Sequence, residues 1–174
     1  MKRFLVYAVL LASIALNLYF LYFMLGYPCV DKFSPLLTYN VNGMLNRLNT
    51  AESRLLEGQK SGWSDKACLW QAYAAIDSAA QYGWEANIIA PLLGNKADQD
   101  FRSSRIDDLC PLLMQFESII IAQAEKAEKG QPVNTDQLND LLDSIKKADF
   151  PVRISSSDGW RLLGSSVEKL LSHK

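Results

Sequence analysis

The 174-residue sequence is poor in the residues that most enzymes use for chemistry. It holds one histidine, His173, next to its last residue. Ser-His-Asp and Cys-His catalysis both need an imidazole held firmly by its neighbours, and the end of a chain is a poor place to hold one. Di-iron bundles need Glu-x-x-His pairs on facing helices, which are absent. Phosphate-cradling glycine loops and dinucleotide fingerprints are missing too, so no cofactor is expected. Neither sign of charge dominates, with 18 Lys+Arg against 19 Asp+Glu. That balance leaves no basic footprint for nucleic acid. With 9 Gly and 6 Pro among many aliphatic residues, collagen-like and disordered classes are excluded as well.

The charges that exist are unevenly placed. Residues 1–30 contain only Lys2 and Arg3, and residues 4–25 form an uncharged run of 22. As a helix this run would be about 33 Å long, enough to cross a hydrocarbon core of about 30 Å. A cleaved signal peptide is the alternative, but its apolar region is usually about 7–15 residues long and ends in small residues. Here the run continues through Leu16, Leu18, Tyr19, Phe20, Leu21, Tyr22, Phe23 and Met24. The reading is therefore a retained anchor in contact with membrane lipid over residues 4–26, after a cytoplasmic stub of residues 1–3. Lys2 and Arg3 place the N-terminus inside, so residues 27–33 form the exit linker and residues 34–174 an extracytoplasmic domain. The predicted location is a cell membrane, crossed once. None of the nine asparagines lies in an Asn-x-Ser/Thr sequon, which fits a bacterial surface slightly better than a secretory-pathway one.

Beyond the anchor the patterning is helical. Ser34-Pro35 reads as a helix start. Leu37, Val41, Met44, Leu48, Ala51 and Leu55 then recur at alternating steps of four and three until Gly58, which forms a seam for packing on another helix. The seam either folds back on its own bundle or mates with a partner. Ser64-Asp65 caps an alanine-rich helix, apolar nearly all round, that Gly83 is expected to end near Tyr82. A short segment follows to Leu93, and residues 94–105 read as a polar loop. Residues 109–129 form a strong amphipathic helix, with Pro111 in its first turn or at a kink. Thr135-Asp136 starts another helix and Ser157 or Asp158 the last, while Val152, Arg153 and Ile154 give the sole hint of a strand. The expected fold is all-α: one N-terminal transmembrane helix followed by a bundle of about five helices.

Three cysteines fit no zinc, haem or thioredoxin-like spacing. In an oxidising compartment Cys68 and Cys110 either form a disulfide or remain two small buried side chains that never meet. Cys29, where the chain leaves the membrane, can bridge to a second copy or a partner. Four tryptophans, Trp63, Trp70, Trp84 and Trp160, pack in a core or line a pocket. Trp63 and Trp84, beside glycines at helix ends, are the better candidates for exposed contacts with a partner. Val41, Met44 and Leu48 of the seam join them as candidates.

Carboxylates are the remaining acid or base candidates, namely Glu52, Glu117, Asp107 and Asp108. Glu52-Ser53 and Glu117-Ser118 resemble the Glu-Ser step of helical wall-cleaving enzymes, without the Gly-Leu-Met-Gln-type continuation. The expectation is an accessory, assembly or inhibitory subunit that is not an enzyme and acts by binding a protein partner or itself. A ligand-binding or sensing module is the alternative, and a carboxylate-dependent wall-active enzyme the third reading.

Overall fold

A computed structural model describes residues 30–93 and 95–172, so the uncharged run, Cys29 and His173 lie outside the described residues. The described chain is all-helical, with six α-helices and one short 3-10 turn. Helix α1 is Val30–Lys60, α2 Lys66–Ile89, α3 Asn95–Ser103, α4 Ile106–Glu128, α5 Thr135–Ala148 and α6 Ser157–Leu171. The 3-10 turn Ala90–Leu93 follows α2 directly.

The seam of α1 folds back onto its own bundle. Leu37, Val41, Met44, Leu48, Ala51 and Leu55 are all at most 2% exposed. Helix α1 is already helical at Val30, within the stretch expected to be linker, and Pro35 is its sixth residue rather than its opening one. Asp65 caps α2 by accepting a hydrogen bond from the backbone N–H of Ala67 at 2.9 Å.

Two expected breaks are absent. Gly83 lies inside α2, which continues for six more residues. A Cβ at Gly83 would sit 2.7 Å from Cys110 Sγ and 3.3 Å from Met44 Sδ, so glycine is what lets α1, α2 and α4 meet there. Residues 95–103, read as loop, form α3 instead. Phe101 buries its ring in the core, the Ser104 hydroxyl donates to the Phe101 carbonyl, and Gly164 of α6 packs on the Ser103 carbonyl. Among the described residues there is no strand. Ile154, from the expected strand hint, is instead a core residue that packs against Gly159.

Helices α1, α2 and α4 form one antiparallel layer with α2 at its centre. Gly43 faces Tyr82 and Gly58 lies near Cys68, which sets α1 against α2. Gly83 faces Cys110, and Lys66 Nζ donates to the Glu128 carbonyl at 3.5 Å, which sets α2 against α4. Helices α5 and α6 pack on each other and cover one face of this layer, while α3 closes against α6. Three side-chain hydrogen bonds fix the α4–α5 corner. Gln123 accepts from Asn134 N at 2.8 Å and donates to Gln137 at 2.9 Å, and Asn134 caps α5 through Gln137 N at 3.1 Å.

Candidate functional site

Among the described residues no helix covers the second face of the α1–α2–α4 layer. On α2 the buried side is built from small residues, Ala72, Ala75, Ala79, Gly83 and Ala86 among them, so neighbouring backbones approach closely. The opposite side of the same helix presents Gln81 and Ile88, seven residues apart and therefore on one stripe. Tyr82 leans over Gly43 of α1, where a Cβ would come within 3.0 Å of the ring. Tyr39 meets Tyr82 edge-on at 6.5 Å.

Toward α4, Trp70 and Tyr73 pack edge-on at 5.9 Å, and the Glu117 carboxylate lies near the Tyr73 hydroxyl. Desolvation raises the Tyr73 phenol above its ordinary value, and the nearby Glu117 and Asp77 carboxylates add to the shift. Trp84 lies three helical turns beyond Tyr73 on the same side of α2. Of the eight large apolar side chains that stand exposed among the described residues, helical phase places five on this face, Leu36, Tyr39, Trp84, Ile88 and Met114, and Leu92 follows in the 3-10 turn. Scattered exposed apolar residues need no explanation, but a shared face does.

The structure separates the candidate contact residues from the sequence. Trp84 is 42% exposed and on the open face. Trp63 is not exposed. It takes a left-handed backbone, φ 61°, which folds its ring back over Gly58, where a Cβ would lie 2.8 Å away. Val41, Met44 and Leu48 are sealed between α1 and α2 and present nothing to a partner.

Cys68 and Cys110 are both free and buried. Cys110 packs against Gly83, fifteen residues along α2 from Cys68, which corresponds to about 22 Å of helix and far exceeds the ~7 Å limit between bridged α-carbons. Of the two readings left open for this pair, the structure shows the second, two small buried side chains that do not meet. The Cys68 thiol donates to Asp65 at 3.4 Å, and burial raises its pKa. Burial and the nearby Asp107 carboxylate push Cys110 up to about 11. Thiols held protonated in this way are poor nucleophiles.

The carboxylates are dispersed. Glu52 is on α1 and Glu117 on α4, with α2 packed between these helices. Asp107 and Asp108 are exposed, and Asp108 pairs with Arg105 at 2.8 Å. Among the described residues no group of three or more His, Cys, Asp or Glu could hold a metal ion. A cleft of about 210 Å³ between α1 and α2 is lined by Arg47, Ser78, Gln81, Tyr82 and Glu85. It is polar and smaller than the roughly 300–1,000 Å³ usual for small-molecule sites.

Comparison with family models, curated proteins and solved structures gives no match for the chain. Among the described residues no helix is long and apolar enough to cross a membrane, and the run of residues 4–25 lies outside them.

Proposed function

We propose that this chain is a membrane-anchored docking subunit whose helical domain binds another protein outside the cytoplasm. The observation that carries this reading is the open face of the α1–α2–α4 layer, with Trp84 and Met114 both exposed on it, on neighbouring helices and about one helical turn apart in level. A half-exposed tryptophan on a rigid helix can dock at low entropic cost and is the commonest kind of binding hot spot. The two half-buried aromatics Trp70 and Tyr73 extend the surface along the α2–α4 groove, and Glu117, Asp77 and Gln81 give it a polar rim. The uncharged run of residues 4–25, preceded by Lys2 and Arg3, supports an anchor with its N-terminus inside.

Site-specific photo-crosslinking in intact membranes tests this. A photoreactive phenylalanine analogue at position 84 or 114 should give one discrete crosslinked species. The same analogue at Leu162 or Val152, exposed but off this face, should give none. Equal crosslinking at all four positions, or none at 84 and 114, contradicts the reading.

A further inference from the structure

The exposed apolar residues of the open face gather at one end of the α1–α2 hairpin. Exposure rises along α2 from Trp84 at 42% through Ile88 at 67% to Leu92 at 74% in the 3-10 turn. On α1, Leu36 is 43% and Tyr39 64% exposed. Because Gly43 faces Tyr82 in an antiparallel pair, Ile88 lies about level with Leu37, and Leu92 about level with the first turn of α1. That is the end at which residues 1–29 join the domain, only four residues after Leu25 closes the uncharged run.

Charge follows the same gradient. Residues 33–46 contain no charged side chain, and residues 78–95 contain only Glu85. At the other end of the hairpin Arg54, Glu57, Lys60, Asp65 and Lys66 crowd together, near Glu125 of α4 and Lys129, which follows it. A chain tethered at this end, where Asp31 and Lys32 of the first turn are the only charges on α1 before Arg47, and with tyrosine, leucine and isoleucine exposed, has the side chains that partition into a lipid interface. Standing upright, α1 would carry Tyr39 about 14 Å beyond its start at Val30, past a headgroup layer about 5–8 Å deep. Lipid contact therefore requires α1 to lean.

We propose that the α1–α2 end of the open face lies in the membrane headgroup layer, so that the domain leans onto the bilayer through Leu36, Tyr39, Ile88 and Leu92. This rests on the anchored reading above. It places the Trp84 docking surface beside the membrane, within reach of a partner that is itself embedded there.

All four tryptophans lie beyond residue 60, so an added tryptophan reports on the domain and not on the anchor run. The full chain is reconstituted into phosphatidylcholine vesicles with or without bromine near the headgroup end of the acyl chains. Leu92→Trp and Ile88→Trp should each add emission that the brominated lipid removes. Gln131→Trp, exposed at the charged end, should add emission that survives. Flotation of the same vesicles after urea washing tests the anchor separately. Protein that floats but shows equal survival of the three added signals overturns the leaning domain and leaves the anchor standing. Protein that does not float overturns both. Floating protein whose added signals are protected by self-association, detected by crosslinking, also overturns lipid contact.

Discussion

Asn42 of α1 holds the backbone of Ile154 across 112 residues of sequence through two hydrogen bonds. Its amide donates to the Ile154 carbonyl at 3.0 Å, and the Ile154 N–H donates to its Oδ1 at 2.6 Å. The α5–α6 connection is thereby tied to the central layer, and Ile154 is set beneath Gly159 to start α6. Asn42→Ala should cost about 2 kcal/mol, one for each hydrogen bond lost. Asn42→Asp, which keeps the acceptor and loses the donor, should also destabilise. Chemical denaturation of the two variants checks this, and a midpoint unchanged in both would contradict it.

Asn40, two residues earlier, behaves oppositely. It is 3% exposed, and its side-chain amide makes no hydrogen bond among the described residues. A buried amide without a partner is a net cost. Asn40→Leu, with the same number of side-chain heavy atoms branched at Cγ, should therefore hold or raise the thermal midpoint, with a gain of about 1 kcal/mol. A loss as large as that of Asn42→Ala would contradict it.

Gly83 is tested by paired substitution. Gly83→Ala puts a methyl group 2.7 Å from Cys110 Sγ and should destabilise by about 1–3 kcal/mol. Adding Cys110→Ala removes the colliding sulfur, so the double variant should lose less than the sum of the single losses. Additivity in a double-mutant cycle would show that the two residues do not meet.

The same cysteine sets an alkaline limit. Its folded pKa, about 11, lies above the ordinary 9.0, so in that interval the unfolded thiol has lost a proton that the folded one retains. Stability contributed by Cys110 is thus complete below pH 9 and falls as pH rises toward 11, by up to ~1.4 kcal/mol per unit. Stability measured from pH 8 to 11 should decline less steeply in Cys110→Ala than in the parent chain. Parallel curves would contradict it.

Much of this architecture is legible in the sequence, because the helices announce themselves by local pattern. The 4-3 spacing from Leu37 to Leu55 fixes which side of α1 is buried, and Asp65 caps α2 as expected, whereas α5 is capped by Asn134, one residue before the expected Thr135-Asp136. The misreadings share one cause, a local signal overruled by a distant partner. Gly83 looks like a helix stop until Cys110 and Met44 fill the space beside it. Residues 95–103 look like loop because their apolar content is small, and Phe101 together with the Gly164–Ser103 contact makes them helical. Trp63 and Trp84 both stand beside glycines, yet the left-handed turn at Gly62 and Trp63 hides one ring while the other stays exposed. Periodicity likewise shows that Val41, Met44 and Leu48 need a partner, but not that α2 is that partner.

The open face is tested most directly by oxidative footprinting of the full chain in its native membrane, compared with the same chain purified in detergent. Trp84 and Met114 should be protected in the membrane and oxidised in detergent, while Leu162 and Val152 are labelled alike in both. Equal labelling of Trp84 and Met114 in the two states would contradict a docking role for this face.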